Sequence, residues 1–117
     1  METFQEIMNF LNIIGNPNRL KLLNILMTGV HCNCELSSQT GMAINLISHH
    51  LKVLQDAEII KSERKPSDAR WIYYSINEEK IKFIQEELNS FFNVERNIVR
   101  TPVCPPCKSK TKEKEDE

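Results

Sequence analysis

Phe4, Ile7, Met8, Leu11 and Ile14 return every three or four residues, which predicts an amphipathic first helix stopped by Gly15. Asn16-Pro17 then reads as an N-cap with proline at the first helical position. Leu20, Leu23, Ile25, Leu26 and Met27 follow it and predict a mostly buried second helix ending at Gly29. Leu36 is the core anchor of a short third helix that Gly41 terminates. In the next stretch Ile47, Leu51 and Leu54 form a buried stripe, and Ser48, His49, Lys52 and Gln55 face outward. The third and fourth helices together make a helix-turn-helix pair, the second member of which presents a polar face suited to reading DNA.

After Asp56 and Ala57 the period changes from helix to strand. Ile59–Arg64 and Arg70–Ile76 are β-rich runs joined by the turn-forming stretch KPSDA at 65–69, so they predict a hairpin with Arg64, Lys65 and Arg70 at its tip. A cationic hairpin tip suits a phosphate backbone. Trp71, Tyr73 and Tyr74 are expected to pack across the ribbon. Asn77 then caps a final helix, with Glu78 and Glu79 in its first turn, and Ile81, Ile84, Leu88, Phe91, Phe92, Ile98 and Val99 carry an apolar stripe to about Arg100. A helix of that length and apolarity at the end of a small domain needs a partner. Pro102 ends it, and the terminal KSKTKEKEDE, with four lysines, four acids and no apolar residue, is expected to be disordered.

SHHLKVLQDAEII, followed by a charged hairpin ending in RWIYYSI, resembles the ArsR/SmtB family of winged helix-turn-helix repressors. GNPNRLKLLNIL looks like that family's second helix and HCNCELS like its cysteine-bearing segment, so the resemblance spans about residues 4 to 95. It implies a mainly α fold with a β-hairpin wing, a homodimer built by the first and last helices, operator double-stranded DNA as the partner, and no enzymatic activity. Where the family usually shows a small polar residue and a glutamine on the reader helix, this chain has Met42-Ala43-Ile44-Asn45. Ala43 and Ile44 can touch a thymine methyl but cannot pair with base edges, so base readout falls to Asn45, Ser48 and His49, with Lys52 beside them. For Asn45 the alternative is an N-cap. His50 is expected to turn inward or to pack under the wing. Arg64, Lys65 and Arg70 are expected to meet phosphates or the minor groove, in a field moderated by Glu63 and Asp68. Arg19 and Lys21 are equally suited to phosphate and to simple solvation.

The chain has four cysteines in two close pairs, a usage that favours metal or redox chemistry over a disulfide framework. Within a helix, residues i and i+2 point about 200° apart, so Cys32 and Cys34 share one ion only where the backbone is not helical. An ion held by both would re-aim the start of the helix that supports the DNA reader. The resemblance implies the same, because arsenite-, cadmium- and lead-responsive members carry ligands in a similar Cys-x-Cys element. The arsenite pattern often adds a third cysteine where this chain has Ser37, so a third ligand has to come from elsewhere; His31 is one candidate, though a solvated or capping role suits it as well. The ligands of zinc-responsive relatives on the last helix have no counterpart here, since no histidine follows His50. Cys104 and Cys107 stand at tetrahedral half-site spacing between stiffening prolines. They either complete a sulfur set with Cys32 and Cys34, or form their own reversible disulfide, or are incidental.

At 117 residues the chain has the length of one domain, expected over residues 1–100, with a cysteine-containing flexible tail over 101–117. A net charge of −1 gives no global attraction to nucleic acid, so DNA contact must rest on a local basic surface. No apolar run approaches the roughly 18 residues of a membrane span, and METFQEIMNF lacks the marks of a signal peptide, which points to a cytoplasmic protein. The function expected from all of this is a repressor released from its operator by a thiophilic ion. Arsenite or antimonite leads; cadmium, lead or zinc follows, and copper(I) is a further candidate. The alternative is a thiol-based redox or sulfide sensor working through disulfide or polysulfide formation. A constitutive DNA-binding module with inert cysteines is the third possibility.

Overall fold

The computed structural model describes residues 2–65 and 68–105. Its elements are α1 (Glu2–Ile14), α2 (Pro17–Leu26), β1 (His31–Cys32), α3 (Asn33–Thr40), α4 (Ile44–Asp56), β2 (Ile60–Lys65), β3 (Asp68–Ile76), α5 (Glu78–Phe91) and a short 3₁₀ turn at Val94–Arg96. The mainly helical fold with a β wing is as expected, and the wing is larger than a hairpin. It is a three-stranded antiparallel sheet in the order β1-β3-β2.

Side-chain oxygens satisfy free amides where α2 and α5 begin, whereas α4 starts at Ala43 without one. The Asn16 side chain accepts from the amides of Asn18 and Arg19, and Pro17 stands at the first helical position, where a missing N–H costs nothing. Gly41 closes α3 at φ 75°, a left-handed conformation that glycine adopts without a Cβ clash, and its amide donates to the Ser37 carbonyl at 2.9 Å. The end of α4 uses the same device without glycine. Glu58 sits at φ 65°, its amide donates to Gln55 O at 2.9 Å, and the Ile59 amide donates to Leu54 O at 3.0 Å. These two bonds form a Schellman closure, with Leu54 and Ile59 as its apolar contact.

Leu22, Leu26, Leu36, Ile47, Leu51, Leu54, Ile59 and Ile60 make one core, which joins α2, α3 and α4 to the root of the wing. The second helix is less buried than its sequence implies. Leu22, Leu23 and Leu26 share the inward face, and Leu20 and Met27 stand half exposed on the other side. The last helix is also shorter than expected. It ends at Phe91 rather than near Arg100, because the Asn93 side chain accepts from the Glu95 amide and starts a separate turn. An asparagine that bonds the backbone two residues on competes directly with helix continuation. Phe92, Ile98 and Val99 therefore lie exposed beyond α5, not on it.

Asn77 ties these parts together. Its side chain donates to Glu58 O at 3.0 Å and accepts from the Lys80 amide, and its own amide donates to Ile59 O at 2.9 Å. The start of α5 is thereby fixed to the turn that leaves α4.

Candidate nucleic-acid interface and thiol site

Asn45, Ser48, His49 and Lys52 recur at three- and four-residue spacing, and all four are exposed along one side of α4. The opposite side buries Ile47, Leu51 and Leu54. Ala43, in an extended conformation, is the N-cap of α4, so Asn45 lies inside the helix and its capping alternative is overturned. It is free to face a groove. Lys52 forms an exposed pair with Asp56 at 3.5 Å, which is screened and easily exchanged for a phosphate. Ile44 and Leu46 are also exposed on this helix and add apolar surface beside the polar row.

His50 turns inward, as expected, and is 5% exposed. Its Nδ1 has no hydrogen-bond partner among the described residues. Burial holds its pKa below 6.5, and the nearby Arg19 and His49 charges push the same way. On acidification the unfolded chain therefore takes up this proton before the folded one does. The contribution to stability is full above 6.5 and declines as pH falls below it. His50→Leu is expected to remove that decline and, by deleting an unpaired buried nitrogen, to raise stability near neutrality by about 1 kcal/mol in urea titrations run across the pH range. A variant that keeps the full acid sensitivity would assign the effect to other groups.

The wing meets its expectations in part. Ile60 to Arg64 pair with Ile76 to Ile72 in regular register, which then slips so that Lys65 faces Asp68. Asp68 and Ala69, expected in the turn, belong to β3. Arg64 is exposed on β2. The side chains of Lys65 and Arg70 lie outside the described residues. Tyr74 is buried in the hairpin, which raises its hydroxyl pKa against an opposing effect of the Arg64 charge.

β1 has no counterpart in the sequence expectations, and it places the thiols. His31 pairs with Tyr74 and Cys32 with Tyr73, so the third strand of the wing runs directly into α3. Cys32 is the N-cap, extended at φ −88° and ψ 163°, and Cys34 already lies in the first turn of the helix. The non-helical backbone that shared ligation requires is thus present at the first thiol only. Cys32 is half-buried and Cys34 is exposed; both are unbridged, as is the exposed Cys104. Cys107 lies outside the described residues. Among the described residues no three His, Cys, Asp or Glu side chains converge as a metal site, so Cys104 is not brought to Cys32 and Cys34, and His31 does not complete a set with them. The His31 ring instead bonds the Gly29 carbonyl through Nδ1 at 2.8 Å. Ser37 is occupied too, donating to Met42 O at 2.9 Å across the helix-turn-helix corner.

Two features of this region were not apparent in the sequence. Glu35 accepts the Cys32 amide at 2.9 Å, and the Cys32 side chain faces the Glu35 amide in return, sulfur being too weak an acceptor to make a full cap bond. This is a capping box, for which the spacing of residues 32 and 35 is the signature, hidden here because sulfur replaces the usual hydroxyl oxygen. The other is β1, whose two residues are too few for any periodicity.

A helix-turn-helix pair flanked by a three-stranded wing, with a polar row on the second helix, defines a winged helix-turn-helix DNA-binding domain. Residues 16–62 match the profile of the bacterial regulatory protein, arsR family. The chain is 32% identical over 85 residues to the transcriptional repressor SdpR of Bacillus subtilis, covering 73% of this chain and 88% of that one. It is 30% identical over 87 residues to the arsenical resistance operon repressor of Staphylococcus aureus, covering 74% and 81%. Among solved structures, an ArsR-like transcriptional regulator from Rhodococcus sp. RHA1 superposes with a TM-score of 0.68 at 16% identity, over 83% of this chain and 88% of that one. The chain belongs to the arsR family of DNA-binding transcription regulators. No helix among the described residues is long and apolar enough to cross a membrane.

Proposed function

We propose that this protein is a cytoplasmic, homodimeric transcriptional repressor, released from operator DNA when Cys32 and Cys34 capture a thiophilic metal or metalloid ion. The observation that carries this reading is the position of Cys32: it is at once the last residue of the wing's third strand and the first cap of the helix that supports the reader. A change at its sulfur acts on both DNA-contacting parts. Similarity to arsenical resistance operon repressors favours arsenite or antimonite, and soft thiolates also accept cadmium, lead or zinc. Two sulfurs leave the coordination incomplete; Cys104 does not meet Cys32 and Cys34 in the ion-free chain, so Cys104 and Cys107, on residues 101–117 beyond a DNA-binding and dimerisation domain over 1–100, complete the set only on ion capture, within the subunit or across the dimer.

On the DNA side, Asn45, Ser48 and His49 read bases, and Lys52, Arg64, Lys65 and Arg70 hold phosphates. Dimerisation through α1 and α5 is supported by their shared apolar face. Phe4, Met8, Leu11, Phe83 and Phe91 are each more than a third exposed, and Phe4 and Phe91 stack at 6.1 Å between ring centroids.

Cys32→Ser and Cys34→Ser are each expected to bind operator within about twofold of wild type and to lose release by arsenite, measured by fluorescence anisotropy on reduced protein. Retained release in both variants would remove these thiols from the inducer site. Release that follows oxidant or polysulfide, with no metal-thiolate absorption, would assign the protein to thiol redox sensing instead.

A further inference from the structure

The capping box of Cys32 and Glu35 does more than start a helix. α3 is only eight residues long and β1 only two, and both are joined at Cys32. Elements this short hold their form through end contacts and packing, since neither has enough internal hydrogen bonds of its own. Leu36 is the single buried residue of α3, so its first turn depends on the capping box. The Glu35 carboxylate is exposed, and a chain that needed only an N-cap would be served by the hydroxyl of a serine or threonine at 32.

We propose that Glu35 is the latch of the DNA-binding state. By accepting the Cys32 amide it keeps α3 wound and β1 docked on β3, so that the reader and the wing share one rigid anchor. Capture of an ion breaks it. Cys34 is helical and Cys32 is not, so both sulfurs reach one ion only if the first turn of α3 gives way. When the Cys32 sulfur turns to the ion, it leaves the Glu35 amide, the bond from the Cys32 amide to the Glu35 carboxylate goes with the opening turn, and the end of β1 keeps only its ladder pairing with Tyr73. Glu35 is thus a positioning residue and contributes no ligand. This inference rests on the thiol-capture reading for its second half only; the first half concerns the ion-free protein.

The test compares full-length wild type, Glu35→Ala and Glu35→Gln, reduced and free of metal, for operator affinity, and then for cadmium affinity by thiolate absorption. Glutamine keeps the accepting oxygen and removes the charge. Glu35→Ala is expected to bind operator about fivefold more weakly, the equivalent of one capping interaction, and cadmium more tightly by a similar factor, because a bond that favours one state must oppose the other. Glu35→Gln is expected to match wild type in both. Weaker cadmium binding by Glu35→Ala would make Glu35 a ligand and overturn the latch. Tighter cadmium binding in both variants with unchanged operator affinity would reduce it to charge repulsion and overturn it equally. Loss of operator affinity without any gain for cadmium would mark a merely structural cap. Should wild type take up no cadmium, the thiol-capture reading and the ion-driven half of the latch both fail, and the operator measurements decide only the ion-free half: a loss in Glu35→Ala restored in Glu35→Gln sustains the shared anchor, and no loss rejects it.

Discussion

Replacing Ser48 and His49 together by alanine is expected to lower operator affinity at least about a hundredfold and to leave affinity for random-sequence DNA within about threefold. A good base-edge contact contributes about 1–3 kcal/mol of discrimination, and two lost contacts in the lower part of that range, about 1.4 kcal/mol each, give the hundredfold. Neither residue supports the fold. Both are exposed on the side of α4 opposite Ile47, Leu51 and Leu54, and alanine is a better helix former than either, so the thermal midpoint should hold or rise. Lys52→Ala provides the contrast. A phosphate contact carries no sequence information, so its loss should weaken operator and random DNA alike and reduce the salt dependence by about one unit of slope. The measurement is a competition titration at several salt concentrations, on an operator selected from a random pool. Equal losses on both DNAs for the Ser48/His49 variant would move base readout off this face of α4.

Local signals in the sequence were reliable where one residue decides one backbone feature. Asn16-Pro17 opens a helix and Gly41 closes one because each solves a steric or hydrogen-bonding problem that few residues solve. The buried stripe of α4 was legible for the same reason: Ile47, Leu51 and Leu54 admit only one face, and that face fixes where Ser48 and His49 must point. What escaped was set by bonds between segments. β1 exists because β3 offers it an edge, a fact that resides in Tyr73 and Tyr74 and not in His31 and Cys32. The apolar residues Phe92, Ile98 and Val99 extended the helical pattern past Phe91, and the Asn93 side chain cancelled it with one hydrogen bond. The left-handed Glu58 was unreadable because nothing in its type asks for that conformation; the closure around it, with Asn77 holding its carbonyl, imposes it. At the thiols the sequence supplied the requirement of non-helical backbone, and the fold met that requirement at Cys32 alone.

The same closure makes Leu54 the position where a core truncation should cost most in function as well as stability. Leu54 is fully buried, it is the last apolar residue of the reader helix, and it packs with Ile59 at the root of β2. Leu54→Ala removes three carbons from that junction and leaves a cavity that Ile59 and Leu51 cannot fill without moving the helix or the strand. The expected loss is about 3 kcal/mol, a large share of the roughly 5–15 kcal/mol that holds a domain of this size. In urea this appears as a lowered midpoint with an unchanged slope, since the surface exposed on unfolding is nearly the same. Operator affinity of the folded fraction should also fall, because the cavity lies between the two DNA-contacting parts and relaxes their relative orientation. Leu54→Met, which conserves volume, separates the two effects: it should cost less than about 1.5 kcal/mol and leave operator binding near wild type. If Leu54→Ala loses stability but its folded fraction binds operator as wild type does, the wing and the reader helix do not depend on this junction for their alignment.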